Sequence, residues 1–175
     1  MIRIAITGPE STGKSWLAEN LARHYQVNWV KEYAREYLEK SDGHYEYNDI
    51  LKIAKGQLER EEQAALAPAQ LLFLDTDFFV TRIWCEVKYG KVHPWILNQL
   101  ETHRYDLYLL CDIDLPWEAD PLREHPELRK YLFDKYYQIM TEMNMPFRVI
   151  SGQGRERLEL AISFIDNMLQ INKLP

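Results

Sequence analysis

Cysteine is scarce in this chain. Cys85 and Cys111 are the two among 175 residues, far apart and without a Cys-x-x-Cys spacing. That excludes a disulfide framework and a thiol metal clip, and both read as reduced, buried cysteines of a cytoplasmic protein. Long apolar runs are missing too. Gly8, Glu10 and Lys14 interrupt the N-terminal run, so no secretory leader is expected there. No stretch approaches the roughly 18 apolar residues of a membrane span. Basic charge is short: 21 Lys and Arg against 27 Asp and Glu leave a net charge of −6. This argues against a nucleic-acid or membrane-surface binder but leaves room for a local basic pocket. The five histidines show no ligand-like pairing, which argues against zinc. No Gly-x-Ser-x-Gly elbow, internal repeat, low-complexity tract or linker is present. With 46% hydrophobic residues, the chain has the length and composition of one domain with a sizeable core.

What is present is organised around Gly8-Pro9-Glu10-Ser11-Thr12-Gly13-Lys14-Ser15. An apolar run, Ile2 to Thr7, precedes it, and a helical pattern (Leu17, Ala18, Leu21, Ala22, Tyr25) follows. Strand, glycine-rich loop and helix in that order form the context of a phosphate-binding loop. Gly8 and Gly13 permit tight turns and close backbone approach. Loop amides and the helix N-terminus then face an anion. Lys14 can reach the β and γ phosphates of a nucleotide, and Ser15 can offer its hydroxyl to Mg²⁺. Gly8, Glu10, Ser11, Thr12, Gly13, Lys14, Ser15 and Trp16 are thus the candidate nucleotide cradle.

Further along, Val27 to Val30 reads as a short strand and Lys31 to Tyr37 turns helical up to the Ser41-Asp42-Gly43 break. A long helix is expected from about Asn48 to Ala67, its charged Glu59-Arg60-Glu61-Glu62 run facing solvent. Leu71 to Leu74 is a buried strand that runs into Asp75-Thr76-Asp77. Carboxylates at the C-terminal end of a parallel strand lie where such sheets bind ligands, and either can hold Mg²⁺ or cap the helix Phe78 to Tyr89. A short helix, Trp95 to Thr102, and a strand, Asp106 to Cys111, come next. Residues 113–126 are polar, proline-rich and carry Arg123, which suits a mobile lid or an ordinary surface loop. Leu128, Tyr131, Leu132, Tyr136, Ile139, Met140 and Met143 form a core-facing helical stripe. Phe147 to Ile150 is a fifth strand, Ser151-Gly152-Gln153-Gly154 a turn, and Leu158 to Leu169 a final amphipathic helix. The alternation implies a doubly wound parallel α/β sheet with right-handed crossovers.

The phosphate loop, Glu32-Tyr33-Ala34-Arg35-Glu36-Tyr37, Asp75-Thr76-Asp77-Phe78, His93-Pro94 and Pro116-Trp117-Glu118-Ala119-Asp120-Pro121-Leu122-Arg123 occur in that order. Together they resemble the ribosylnicotinamide kinase domain of bifunctional bacterial NAD-salvage regulators, over nearly the whole chain. The resemblance implies a P-loop NTPase fold of three layers, with five strands in order 2-3-1-4-5, and a lid over roughly 113–126. It implies ATP- and Mg²⁺-dependent phosphorylation of the 5′-hydroxyl of nicotinamide riboside in the cytoplasm. Lys14, Glu32, Asp77 and Arg123 become the candidate catalytic residues, with Glu32 the first choice of base and Asp77 the second. Glu32, Tyr33, Arg35, Asp77 and Trp117 are the candidate acceptor contacts, Ser15 and Asp75 the candidate Mg²⁺ ligands. By the same resemblance the Ser151–Gly154 turn borders the adenine. Starting four residues before Ala5, the chain is expected to leave no room for the adenylyltransferase and DNA-binding domains of larger members.

The resemblance breaks at two places. Aromatic side chains that flank a pyridine ring in the family fall on Lys31 and Gln63, so Tyr33, Tyr37, Phe78, Trp84 or Trp117 would have to stack instead. Two other readings therefore stay open: a kinase of another nucleoside or small alcohol, and a nucleotide-binding switch without turnover. Oligomeric state is not legible in the pattern.

Overall fold

The computed structural model describes residues 1–124 and 126–171; His125, inside the expected lid, and 172–175 lie outside it. The elements are β1 (Ile2–Thr7), α1 (Lys14–Tyr25), β2 (Trp29–Val30), α2 (Tyr33–Lys40), α3 (Tyr47–Ala65), β3 (Leu71–Asp75) and α4 (Phe78–Tyr89). They continue with α5 (Pro94–Thr102), β4 (Leu107–Cys111), a 3-10 turn (Pro126–Leu128), α6 (Arg129–Glu142), β5 (Phe147–Ile150) and α7 (Gly154–Ile171). All five strands are parallel, in the order β2-β3-β1-β4-β5.

Period-two alternation along the strands builds the layers. Ile4 and Ile6 of β1, Leu71 and Phe73 of β3, and Leu107 and Leu109 of β4 face α1 and α7. Ala5, Leu72, Leu74, Tyr108 and Leu110 face the opposite way, into α3, α4, α5 and α6. Both faces are covered, so the central strands read as continuous apolar runs. Each fully buried side chain of this kind contributes about 1.5–3 kcal/mol.

Local chemistry sets the ends of the helices. Asp77 Oδ1 accepts from Phe79 N at 2.9 Å and Val80 N at 3.2 Å, capping α4. Glu46 and Asp49 form a reciprocal capping box on α3. Gly90 closes α4 at φ 65°, and Pro94 opens α5 at its first position.

Two details depart from the sequence pattern. Glu61 is not on a solvated face: it is 1% exposed, accepts from Tyr105 Oη at 2.9 Å, meets His103 Nε2 at 2.9 Å and lies 3.3 Å from Arg3. The last turns of α3 lie against His103 and Tyr105, just ahead of β4, and against Arg3 of β1, so this position turns inward. Tyr131 is exposed, because the buried stripe of α6 runs through Leu132, Tyr136, Ile139 and Met140 instead.

Candidate functional site

The site lies at the C-terminal end of β1, flanked by β3 and β4. Gly8, at φ 130°, brings the chain so close to β4 that a Cβ there would stand 2.9 Å from the Cys111 carbonyl oxygen. Only glycine fits that crossing. Ser11 and Gly13 take left-handed conformations, and Thr12 Oγ1 bonds Pro9 O at 2.8 Å. Lys14 Nζ folds back on Pro9 O at 2.9 Å, so the loop encloses its own cation.

Asp75 ends β3 fully buried. Burial raises its carboxyl above the usual carboxylate range, and Glu32 nearby pushes the same way; Ser15, Lys14 and Arg35 oppose them. Its Oδ1 is buried without a hydrogen-bond partner among the described residues. A hard oxygen of this kind beside the Ser15 hydroxyl suits Mg²⁺. Asp77 is raised to about 7, chiefly by burial; Thr7 Oγ1, which donates to Oδ1 at 3.0 Å, offsets part of it. Oδ1 is committed to the α4 cap, while Oδ2 is left without a partner among the described residues.

Residues 112–124 fold down on the phosphate loop, where Glu124 N donates to the Glu10 carboxylate and Ser11 gathers several bonds. Its Oγ accepts from Glu118 N at 2.8 Å and Arg123 Nη1 at 3.3 Å. Arg129 Nη2 donates to Ser11 O at 3.1 Å and to Leu115 O at 2.9 Å. Arg35 reaches across to Asp120 at 2.9 Å. Lys88 and Tyr45 both hold the Glu124 carboxylate, at 2.9 and 2.8 Å.

Beneath this segment runs one cavity of about 680 Å³. It takes in all of Gly8–Trp16, then Glu32, Arg35 and Arg123. It includes an apolar chamber walled by Leu38, Tyr45, Ile83, Trp84, Leu132 and Tyr136, and it takes in Gly154 and Arg157 of α7, which packs on the opposite face of the sheet from α4 and α6. Most of the residues expected from sequence thus meet here. Asp75 lies behind the phosphate loop rather than on the cavity wall, and Asp77 lines a small void behind Glu32. Tyr33 and Trp117 do not line the cavity. The ring of Tyr33 rests on the backbone of α3 at Gly56 with Arg60 stacked 4.5 Å from its centre, and Trp117 lies 6.0 Å from the Arg129 guanidinium. Lys31 and Gln63 are exposed.

Sequence reasoning missed Tyr45, Tyr136 and Arg157. Arg157 had a signal: it stands four residues before Ala161 and eight before Ile165, in phase with the buried stripe of α7.

Comparison with known proteins agrees with this architecture. Over 150 residues the chain is 33% identical to the trifunctional NAD biosynthesis/regulator protein NadR of Escherichia coli (strain K12), covering 82% of this chain and 37% of that protein. The NadR of Salmonella typhimurium matches equally. The chain thus spans little more than a third of the curated relatives' length. Crystal structures of NadR with NR, and with NAD and AMP-PNP, superpose with a TM-score of 0.79 in each case, at 23% and 25% identity, over 95% of this chain and 51% and 49% of theirs. Deoxyadenosine kinase from M. mycoides shares the fold at a TM-score of 0.70 and 15% identity, over 95% of this chain and 100% of that one. A family model, AAA_28, an AAA domain, matches residues 3–157. The match runs from β1 through the phosphate loop and the acidic end of β3 into α7, and the chain belongs to this P-loop family.

Proposed function

We propose that the chain is an ATP-dependent kinase that phosphorylates the 5′-hydroxyl of nicotinamide riboside to nicotinamide mononucleotide. One observation carries the proposal: the cavity at the phosphate loop continues into a second, apolar chamber under an arginine-bearing segment. A switch that only holds a nucleotide needs no second chamber, whereas a kinase must seat an acceptor in line with the γ-phosphate. The 33% identity to NadR, one of whose structures holds NR, points to the acceptor.

In this reading the loop amides and Lys14 neutralise the phosphates, and Lys14 exchanges Pro9 O for phosphate oxygen. Asp75 and Ser15 would hold Mg²⁺, which adds charge neutralisation at the phosphates when bound. Glu32, half-buried on the cavity wall, orients the 5′-hydroxyl and takes its proton as that oxygen bonds to the γ-phosphorus and the bond to the leaving ADP oxygen breaks. Arg123 and Arg35 face the same space and offset the charge on the transferring group. Residues 113–126 act as a lid that excludes water. Asp77 supports the acceptor side through its free Oδ2. Exposed Lys31 and Gln63 favour a second reading, a kinase of another nucleoside, since neither can flank a ring.

The test is ADP release from ATP and Mg²⁺ with and without nicotinamide riboside, for wild type and Lys14→Ala. Acceptor-dependent turnover that Lys14→Ala abolishes is expected. Bound ATP with no stimulation by nicotinamide riboside, but stimulation by another nucleoside, would replace the acceptor. No stimulation by any nucleoside would remove the kinase reading.

A further inference from the structure

Arg157 has no part in the chemistry above, yet among the described residues it is the largest fully buried side chain. Burying a guanidinium costs several kcal/mol unless its donors are matched. Here Nη1 and Nη2 are matched by four oxygens from three places, while Nε is buried without a partner among the described residues. Nη2 donates to Thr12 O of the phosphate loop at 3.0 Å and to Asp112 O after β4 at 3.0 Å. Nη1 donates to Asp114 Oδ1 at 2.7 Å and to Gly152 O at 2.7 Å. Asp114 closes the circuit, since its Oδ2 accepts from Gly152 N at 2.6 Å. Gly152, at φ 88°, makes the tight turn that brings residues 151–154 against the first turn of α7.

These partners mark the two ends of a ligand. Thr12 belongs to the phosphate cradle. Gly154 and Arg157 line the cavity from α7, which packs on the face of the sheet opposite α4 and α6, the helices that carry most of the apolar chamber. If the chamber seats the acceptor, as proposed above, a nucleotide with its phosphates on the loop amides extends its base toward residues 151–154.

We infer that Arg157, with Asp114, is a positioning residue that fixes the span between the phosphate cradle and the loop receiving the nucleotide base. One rigid, planar fork holds both ends, so the distance between them does not fluctuate independently. The inference rests on the nucleotide-binding part of the proposed function and not on the identity of the acceptor.

Two ligands separate the arms. Calorimetry with Mg·ATP reads both ends of the site, and inorganic tripolyphosphate with Mg²⁺ reads the cradle alone. Asp114→Asn, at a partly exposed position, loosens only the base-side loop. It is expected to weaken ATP at least fivefold while tripolyphosphate stays within twofold of wild type. Arg157→Met is expected to weaken both ligands, and Arg157→Lys to recover part of the loss. In turnover, Asp114→Asn raises the KM for ATP and leaves the KM for nicotinamide riboside within twofold. Wild-type ATP affinity in Asp114→Asn, with only its melting temperature lowered, would overturn the inference and leave a merely structural bond. Wild-type protein that binds neither ligand would overturn it as well. Absence of turnover with nicotinamide riboside, with the ATP and tripolyphosphate results as expected, would remove the acceptor and leave the inference standing.

Discussion

Gly56 sets two physical effects against each other. It sits inside α3, where replacing glycine by alanine ordinarily stabilises a helix by about 1 kcal/mol. In this fold the added Cβ would stand 2.2 Å from Tyr33 Cε1 and 2.5 Å from Cδ1. Ordinary contact, 3.4 Å or more, would require the ring to retreat by more than about 1 Å, and overpacking of this kind costs about 1–3 kcal/mol. Retreat is not free. Tyr33 N donates to Gln57 Oε1 at 2.7 Å, and Arg60 covers the ring from 4.5 Å. The net expectation for Gly56→Ala is therefore a loss of about 0–2 kcal/mol, which lowers the melting temperature by up to about 8 °C for a chain of this size. Glu32 adjoins Tyr33, so its carboxylate moves with the ring, and kcat is expected to fall about tenfold or more. The control is Tyr33→Ala. In that background the clash is gone, and Gly56→Ala should now stabilise by about 1 kcal/mol. Thermal unfolding followed by circular dichroism on the four proteins reads the cycle. A melting temperature that rises in Gly56→Ala with Tyr33 intact would refute the reasoning.

Glu32→Gln is expected to lower kcat by about 10²–10⁴ with ATP affinity unchanged by calorimetry; full turnover at saturating acceptor would remove Glu32 from the base role. Glu61→Ala strands Tyr105 and His103 in the interior and should cost about 3 kcal/mol in urea unfolding; a change under about 1 kcal/mol would mean the network is idle. Burial pushes both thiols, Cys85 and Cys111, up to about 11. The folded chain keeps these protons where the unfolded chain releases them, so their stabilisation is complete below about pH 9 and declines between pH 9 and 11. Replacing both cysteines by alanine should flatten that stretch of a stability–pH curve, and an unchanged slope would contradict the burial argument.

The elements that local chemistry dictates were legible in the sequence. α1, α4 and β5 begin and end where their glycines, cap and apolar runs place them. The glycine-rich loop was legible because its requirements are backbone requirements, written into Gly8 and Gly13. The strand order was not: β1 pairs with residues far along the chain, and the order came through the resemblance to a known family. Glu61 shows why pattern reading failed locally. Four consecutive charged residues look solvated, yet Ile50, Ile53, Ala54, Gln57 and Glu61 share one buried stripe of α3. The stripe passes through polar residues, and only the arrival of His103, Tyr105 and Arg3 makes that tolerable. Asp77 was read as cap or functional acid, and its two oxygens divide: Oδ1 caps α4, while Oδ2 is left over. Tyr45 and Tyr136 were invisible as cavity walls because nothing in a single sequence says which segments the chamber lies between.

The central position of β1 also bears on how the chain is made. Ile4 pairs with Leu107 on one side and Phe73 on the other. Of these five strands β1 is made first, and it waits for roughly a hundred further residues before its second neighbour exists, on the order of 5–20 s of synthesis. During that interval an apolar strand with at least one open edge is available to other chains. Holdase chaperones have their longest opportunity here, and slowed elongation before residue 107 is expected to lower soluble yield more than slowed elongation within α7, when both edges of β1 are already paired and only its face toward α7 is open.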